Sequence, residues 1–462
     1  MKRYATVVLL VLAGAGCGPS TDRLPEKNTA RLSQARRLDR AERLFETGHL
    51  AEAEALYLQA AEPPSARAAA GLCRVLLAKG DYAGAVAWGR RAVELNPALP
   101  RTWKDLGQAR LGLGALDEAA LDFREAVRLA PEDPAPRIDL GVTLARLNIL
   151  EDAETALREA LALAPREPRA LYNLGLVYEK MGRMEEAENS LRQSAALRPG
   201  FAPAYLALGN VREDLGDDEG ALAEYRNAAA MNRELDEAWL LAAAICLRQN
   251  RLNEAEHLYG KLLEMRPGHP EASLRLGEIA VRKGEYPRAR EFLLAVVGSG
   301  TADARVYDLL GLTQERSGEP ETAAKSFQLA VDQEPGNPDY LLHRGRNLLD
   351  LENSNQALEY LEKASAAREG DPEILYFLGR ARFLEEDLPG ARKALEEAED
   401  RGAGSEFGVK ARTLLLRLKG KTPPPSPPDQ DENLPFHQLF MRDILNNPGD
   451  GGDAPETGTQ GG

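Results

Sequence analysis

The stretch RTWKDLGQARLGLGALDEAALDFREAVRLAPEDP, residues 101–134, decides the fold of this chain. Gly114 lies between its two halves, and Pro131 follows the second half. Glycine tolerates the left-handed backbone conformation that ends a helix, and a proline stops a helix that precedes it. The stretch therefore predicts two short helices that are joined by a tight turn and closed by a proline.

The features of this stretch recur along most of the chain. They return every 34 residues from residue 66 to residue 405, which makes ten units, and an eleventh unit, two residues shorter, precedes them at 34–65. Length alone would suggest about three domains, but a fixed period of this size indicates a repeat protein. The ten longer units are 66–99, 100–133, 134–167, 168–201, 202–235, 236–269, 270–303, 304–337, 338–371 and 372–405.

Small residues occupy two matched places in every unit, which indicates where its two helices cross. Helices that pass closely need small side chains at the contact. The alanines of the second half are Ala53, Ala85, Ala119, Ala153, Ala187, Ala221, Ala255, Ala289, Ala323, Ala357 and Ala391. The small residues twelve places earlier are Ala41, Cys73, Gly107, Gly141, Gly175, Gly209, Ala243, Gly277, Gly311, Gly345 and Gly379.

The units resemble tetratricopeptide repeats, whose pattern pairs Trp-x-x-Leu-Gly with a later alanine, an aromatic residue and a closing proline. The matching residues are Trp103, Leu106, Gly107, Ala119, Phe123 and Pro131, with Tyr205, Trp239 and Tyr307 at the tryptophan place of other units. The resemblance covers residues 34–405 and implies an all-α, right-handed superhelical solenoid of stacked helix pairs with a concave groove. Residues 406–420 carry apolar residues at near-helical spacing and are predicted to form a C-terminal capping helix.

The first residues of the chain predict an export signal over residues 1–16. The run LLVLAGAGC, residues 9–17, follows a basic start and completes an apolar stretch of about 13 residues, whereas a membrane-spanning helix needs roughly 20. A basic start, a short apolar run and small residues before a cut site are typical of such signals. The alternative, a buried core helix, is disfavoured because glycine weakens a helix interior.

The residues around Cys17 resemble the signal of bacterial lipoproteins, in which the cut falls just before a cysteine that then carries the lipid. The preceding Ala-Gly fits that pattern, whereas Gly14 stands where the family usually has leucine. The resemblance implies that Cys17 is acylated, that residues 17–33 form the attachment site and tether, and that two or more chains hold the protein at a membrane. Gly18 is not the aspartate that retains such proteins in the inner membrane, which favours the outer membrane.

The charge balance argues against nucleic acid as a partner. The formal net charge is −15 and becomes −17 once Lys2 and Arg3 are removed with the signal. Phosphate backbones are bound by clustered lysine and arginine, and anionic lipid surfaces repel an acidic protein. We therefore expect membrane attachment through the lipid alone, and protein or peptide ligands.

Catalytic and metal-binding patterns are absent from the sequence. The five histidines are scattered, and none stands with Cys, Asp or Glu at metal-ligand spacing. There is no G-x-S-x-G elbow, P-loop or dinucleotide fingerprint, and the 57 residues after the array are too few for a catalytic domain. We predict no enzymatic activity and no cofactor. Cys73 and Cys246 lie five repeats apart, too far for a disulfide, so both are expected to be reduced and buried.

The C-terminal residues 421–462 are expected to be disordered, because they are rich in proline, acidic residues and glycine. Within them, 434–447 carries an apolar stripe on roughly one helical face, which is typical of a docking motif. The apolar residues of this motif are Phe436, Leu439, Phe440, Ile444 and Leu445. We hypothesise that the motif docks onto the C-terminal repeats of its own chain or onto a separate partner.

In the family, the first helices of the repeats line the groove. One known groove clamps a peptide carboxylate with Lys, Asn and Arg, but here Asp139 replaces the asparagine and Asn173 replaces a base, so that function is not carried over. The last three repeats carry apolar side chains beside arginines, the usual composition of a protein-binding hot spot. The candidate groove residues are Arg305, Leu312, Leu342, Arg346, Tyr376, Phe377, Arg380 and Phe383. The alternative is that some of these rings pack against the capping helix.

Taken together, the sequence predicts an exported, lipid-anchored scaffold on the periplasmic side of a membrane. It would bind proteins or peptides and help to assemble a complex of the cell envelope; lipoproteins with such repeats include assembly factors for type IV pilus secretins. The alternative is a recruiting subunit for an envelope enzyme that acts on glycan or lipopolysaccharide.

Overall fold

The computed structural model describes residues 26–419, which form α-helices and no strands. The chain divides into two compact units, the first ending at Asp217 and the second beginning at Asp218. The predicted export signal, Cys17 and the docking motif at 434–447 lie outside the described residues. Within them, no helix is both long enough and apolar enough to cross a membrane.

The helices of the first unit alternate between the first and second halves of the predicted repeats. They are α1 (Glu26–Glu46), α2 (Leu50–Ala60), α3 (Ala66–Lys79), α4 (Tyr82–Leu95), α5 (Pro100–Gly112), α6 (Leu116–Leu129), α7 (Pro134–Arg146), α8 (Leu150–Leu163), α9 (Pro168–Lys180), α10 (Met184–Leu197) and α11 (Ala202–Asp214). Each helix packs against the next one along the chain, and successive first helices also touch. This is the packing of a tetratricopeptide solenoid, as predicted.

The second unit continues the same alternation and ends with one additional helix. Its helices are α12 (Asp218–Met231), α13 (Asp236–Arg248), α14 (Leu252–Met265), α15 (Pro270–Arg282), α16 (Tyr286–Gly298), α17 (Ala304–Arg316), α18 (Pro320–Gln333), α19 (Pro338–Asp350), α20 (Ser354–Ala367), α21 (Pro372–Leu384), α22 (Leu388–Arg401) and α23 (Glu406–Leu418). The last of these, α23, packs on α22 and α21 and buries Ala411 and Leu415. The predicted capping helix is thereby confirmed.

The turn inside each repeat depends on a residue in the left-handed backbone conformation. Gly114 has φ of 78°, and asparagine takes the same place at Asn148 (φ 59°) and Asn250 (φ 57°), as the sequence predicts. Glu352 and Glu386 also adopt positive φ, 57° and 62°, although neither residue type favours it. These two turns are therefore set by the packing of the flanking helices rather than by the turn residue.

The predicted crossing points of the helices are confirmed by burial. All eleven matched alanines are completely inaccessible to solvent. At Gly379, an added Cβ would lie 2.6 Å from Leu395 Cγ and 3.3 Å from the carbonyl oxygen of Ala391. The first helix can approach its partner this closely only because glycine has no side chain there.

The first helix starts earlier than the repeat pattern predicts. It begins at Glu26, eight residues before the predicted start at 34, and so extends into the segment predicted as a tether. Residues 26–33 contain no glycine or proline that would stop a helix. Both Cys73 and Cys246 are free and buried, as expected.

Replacing the crossing glycine should destabilise the second unit, whereas the same change at an open glycine should stabilise it. We expect Gly379→Ala to lower the unfolding free energy, because overpacking costs about 1–3 kcal/mol and outweighs the gain of up to ~1 kcal/mol in helix propensity. The matched control is Gly260→Ala in α14, where an added Cβ meets nothing within 4 Å and only the propensity gain remains. Urea unfolding followed by helical circular dichroism measures both, and a stabilising Gly379→Ala would contradict the close crossing.

Candidate functional site: the first-helix surfaces

Polar side chains join several successive first helices in both units. In the first unit they lie on α5, α7 and α9, and in the second unit on α15, α17, α19 and α21. We call the side of the first helices that carries these joining side chains the first-helix surface of each unit. It is the face on which the sequence places the candidate groove residues.

In the first unit, Asp139 of α7 links three successive helices. Gln108 of α5 donates to its Oδ2 at 3.0 Å, and Arg169 of α9 donates to its Oδ1 at 3.3 Å. Asn173 donates to the carbonyl oxygen of Arg169 one turn earlier at 2.6 Å. Asp139 therefore engages the side chains that would otherwise hold a peptide carboxylate, which agrees with the sequence argument against a clamp.

Asp105 of α5 is the buried acid of this surface whose charge is least compensated. Its Oδ2 is buried and has no hydrogen-bond partner among the described residues. Burial raises the pKa of Asp105 to about 6, and the nearby carboxylate of Asp139 adds to the rise, while Lys104 and Arg101 oppose it. Near neutral pH this carboxylate is ionised at a cost to stability.

Three of the eight candidate groove residues belong to the core of the second unit. Leu312, Leu342 and Phe377 are buried, so their side chains do not face solvent. The ring of Phe377 lies 5.8 Å from that of Phe407 in α23, and the ring of Tyr376 lies 5.9 Å from it. The alternative interpretation holds for these two rings, which pack against the capping helix.

The other candidate groove residues differ in how far contacts within the protein cover or engage their side chains. Arg346 of α19 donates to Glu315 of α17 at 2.8 Å, and both side chains are largely covered. Arg380 of α21 lies 3.8 Å from Asp350. Burial and the nearby carboxylate of Glu315 raise the pKa of Asp350. Phe383 stays 38% exposed at the end of α21. Arg305, Arg380 and Phe383 are thus the candidates that a ligand can reach most readily.

His343 and Asp308 form a half-buried pair between α19 and α17. The Nδ1 atom of His343 lies 2.8 Å from Asp308 Oδ1, and its ring lies 5.9 Å from that of Phe327. Burial alone would lower the pKa of His343, but the Asp308 carboxylate outweighs it and raises this pKa above 6.5. The raised pKa favours the protonated imidazole beside the Asp308 carboxylate, and the pair ties two repeats together.

A cluster of charged residues on α15 and α17 was missed by the sequence argument, apart from Arg305. Glu278 of α15 is completely buried, and Arg275 Nη1 lies 3.2 Å from its Oε2. Arg305 Nη2 of α17 lies 2.7 Å from Glu278 Oε1, without the geometry of a hydrogen bond. Arg282, at the end of α15, is buried beside them. Arg275, Glu278 and Arg282 are separated by three and then four residues, which places them on one face of α15. This spacing is the sequence pattern from which the cluster could have been predicted.

The described residues contain no group of three or more His, Cys, Asp or Glu side chains placed to hold a metal ion. What the first-helix surfaces offer instead is a row of charged side chains whose positions are fixed by contacts between repeats. Such a surface can recognise a complementary partner by charge and hydrogen bonding.

Three family models match the chain, and all three describe tetratricopeptide folds. Two are tetratricopeptide repeat models that match residues 247–312 and 342–406, and one is the middle TPR-like domain of cilia and flagella-associated protein 70, which matches 69–198. The matched segments resemble tetratricopeptide repeats, in agreement with the packing of the helix pairs. No curated protein sequence matches it.

Solved structures of several tetratricopeptide proteins resemble parts of this chain. YrrB, a TPR protein with an unusual peptide-binding site, is 20% identical over 41% of this chain and 98% of its own, with a TM-score of 0.38. PilW, a type IV pilus biogenesis factor, is 23% identical over 45% of this chain and 96% of its own, with a TM-score of 0.42. A thermophilic TPR protein from Thermus thermophilus is 26% identical over 40% of this chain and all of its own, with a TM-score of 0.35.

The pair of His343 and Asp308 should make stability depend on pH. A histidine whose pKa is raised in the folded state contributes stability below its unfolded pKa near 6.5, and loses it as pH rises through the folded pKa. We expect the urea midpoint of the native protein to exceed that of His343→Gln by more at about pH 6 than at about pH 9. Asp308→Asn is the control that should abolish this trend. An advantage that grows with pH would show that the pair is not charged.

Proposed function

We propose that this protein is a non-enzymatic scaffold that binds other proteins or peptides on its first-helix surfaces. The observation that carries the proposal is that some charged side chains on these surfaces are covered in ion pairs across repeats, while other side chains stay partly open to solvent. Paired groups such as Glu315 and Arg346 fix the helices, whereas the exposed Arg380 and Phe383 and the cluster around Glu278 are available to a ligand. Tetratricopeptide proteins generally act as protein-binding scaffolds.

The stacked repeats suit this role physically. Each helix is held by its neighbours, so a ligand meets side chains on rigid elements and little ordering entropy is lost on binding. A binding surface of this kind needs a few well-placed anchors rather than a deep cavity. Arg380 and Phe383, whose side chains are of the types that most often act as anchors, are accessible at the end of α21.

The place of action is proposed from the sequence alone. The export signal and Cys17 favour a lipid-anchored protein of the bacterial envelope that helps to assemble an envelope complex. The alternative is a recruiting subunit for an enzyme that acts on glycan or lipopolysaccharide. The motif at 434–447 would then dock onto the C-terminal repeats, or onto the same partner.

Site-specific cross-linking tests the scaffold function and identifies the partner. A photoreactive residue in place of Phe383, on α21, should capture a protein in membranes, whereas one in place of Leu329, equally exposed on the second helix α18, should not. Captured pore or pilus subunits would favour assembly, and a synthase or hydrolase would favour the alternative.

Fatty-acid labelling and membrane recovery should both be lost in Cys17→Ser.

One control and three possible outcomes decide the interpretation. Deletion of 434–447 shows whether the captured species is the chain's own tail. Equal capture at both positions would indicate an unspecific surface, and capture at neither would contradict the proposed function. Equal labelling of native protein and Cys17→Ser would contradict the lipid anchor only.

A further inference from the structure

Arg282 is a buried arginine without the partners that a buried charge requires. Only 5% of the residue is exposed, and its Nε and Nη1 atoms are buried with no hydrogen-bond partner among the described residues. A buried charge that is not paired costs several kcal/mol. Burial lowers the pKa of Arg282, and the positive charges of Arg305 and Arg275 lower it further, although Glu278 opposes them. The folded chain thus keeps a guanidinium where its surroundings disfavour the charge.

The charges around Arg282 do not cancel. Arg275, Arg282 and Arg305 surround the single buried carboxylate of Glu278. Arg275 is also bound at 2.7 Å by Glu271, one turn earlier on α15. With both carboxylates counted, three positive charges face two negative ones, so the cluster carries one uncompensated positive charge.

Part of this cluster is open to a ligand. The side chains of Arg275 and Arg305 are 29% and 41% exposed, whereas that of Glu278 is 1% exposed. A ligand would therefore meet guanidinium groups at the surface, with the competing carboxylate underneath. Guanidinium groups bind carboxylates through paired hydrogen bonds, and these are strongest where water is partly excluded.

We infer that Arg275, Arg282 and Arg305 form a binding site for a carboxylate of an acidic peptide segment. This inference rests on the proposed function and names the chemistry of its ligand. One carboxylate of the ligand would neutralise the uncompensated positive charge. The buried Arg282 would strengthen the positive electrostatic potential at the site. A polyanion such as nucleic acid suits the site less well than a single carboxylate, because the cluster has only one positive charge in excess.

The site differs from the known Lys–Asn–Arg clamp for a peptide carboxylate. The first unit does not form that clamp, because Asp139 replaces its asparagine and Asn173 replaces a base. Its arginines are arranged around an internal glutamate that takes part of their hydrogen-bonding capacity. Glu278 therefore keeps the arginines in place while no ligand is bound, and it limits the affinity for the ligand. This arrangement predicts that substitutions of Glu278 and of Arg282 change the affinity for the ligand in opposite directions.

Three labelled peptides serve as probes of the full-length protein. Fluorescein-Gly-Gly-Glu-Glu-Glu-Glu-amide carries side-chain carboxylates, the corresponding glutamine peptide with a free C-terminus carries only a terminal carboxylate, and its amide carries neither. Fluorescence anisotropy should show binding of the first, the second or both, and not of the third. The pattern identifies the source of the carboxylate, and equal binding of all three, or of none, would overturn the inference.

Substitutions separate a ligand site from a structural cluster. Arg282→Met should weaken binding by about tenfold or more, and should raise the urea midpoint because an unpaired buried charge is removed. Glu278→Gln should tighten binding and lower the midpoint. The control is Arg290→Gln on α16, which removes an exposed arginine paired with Glu319 and should leave binding unchanged.

Three results would overturn the inference. Equal loss of binding in Arg282→Met and Arg290→Gln would show that only the overall charge matters. A lower urea midpoint in Arg282→Met with unchanged binding would show that the arginine is structural. Partner capture at position 383 with no binding of either carboxylate-bearing peptide would reject this site and leave the scaffold function standing.

Discussion

The close crossing of two helices inside each repeat is the contact on which the rest of the molecule depends. Every repeat buries an alanine of its second helix completely, and most place a glycine opposite it on the first helix. At Gly379 the space that a Cβ would need is already filled by Leu395 and by backbone. Because the two helices are held this closely, the next repeat can pack against both, and a series of hydrophobic clusters forms along each unit.

This crossing also decides what the first helices can offer to a partner. One side of each first helix faces its own second helix, and another faces the adjoining repeat, so a narrow strip remains for contacts between successive first helices and for ligands. On most of that strip charges are paired, as for Asp139 with Arg169 and for His343 with Asp308. The cluster around Glu278 is an exception, because its arginines outnumber its carboxylates. Residues that are kept at a cost to stability are expected at functional sites.

The repeat architecture could be predicted from the sequence because its causes are local. A glycine or asparagine turn and a small residue at the crossing act within a few residues of one another, so they repeat visibly with the period of 34 residues. The turns at Glu352 and Glu386 could not be predicted, since tertiary packing overrides the preference of those residues. The early start of α1 lies outside the repeat pattern and was therefore missed.

The binding surface was harder to predict, since it depends on how neighbouring repeats cover one another. Leu312 and Leu342 occupy helix positions that could face a groove, yet Leu312 packs in a cluster with Phe327 of its own repeat. Leu342 packs in a cluster that includes residues of both neighbouring repeats. Tyr376 and Phe377 are covered by Phe407, which comes from outside the repeats. The charge excess around Glu278 arises from side chains of two repeats, and only Arg305 among them was singled out by composition.

Hydrogen–deuterium exchange of the full chain, with and without the partner captured in membranes, tests most directly whether ligands bind on the first-helix surfaces. In the second unit, the partner should slow exchange in the first helices α15, α17, α19 and α21, and should change little in the second helices α16, α18 and α20. Slowing that is equal in both sets of helices, or that is confined to the second helices, would contradict binding on the first-helix surface.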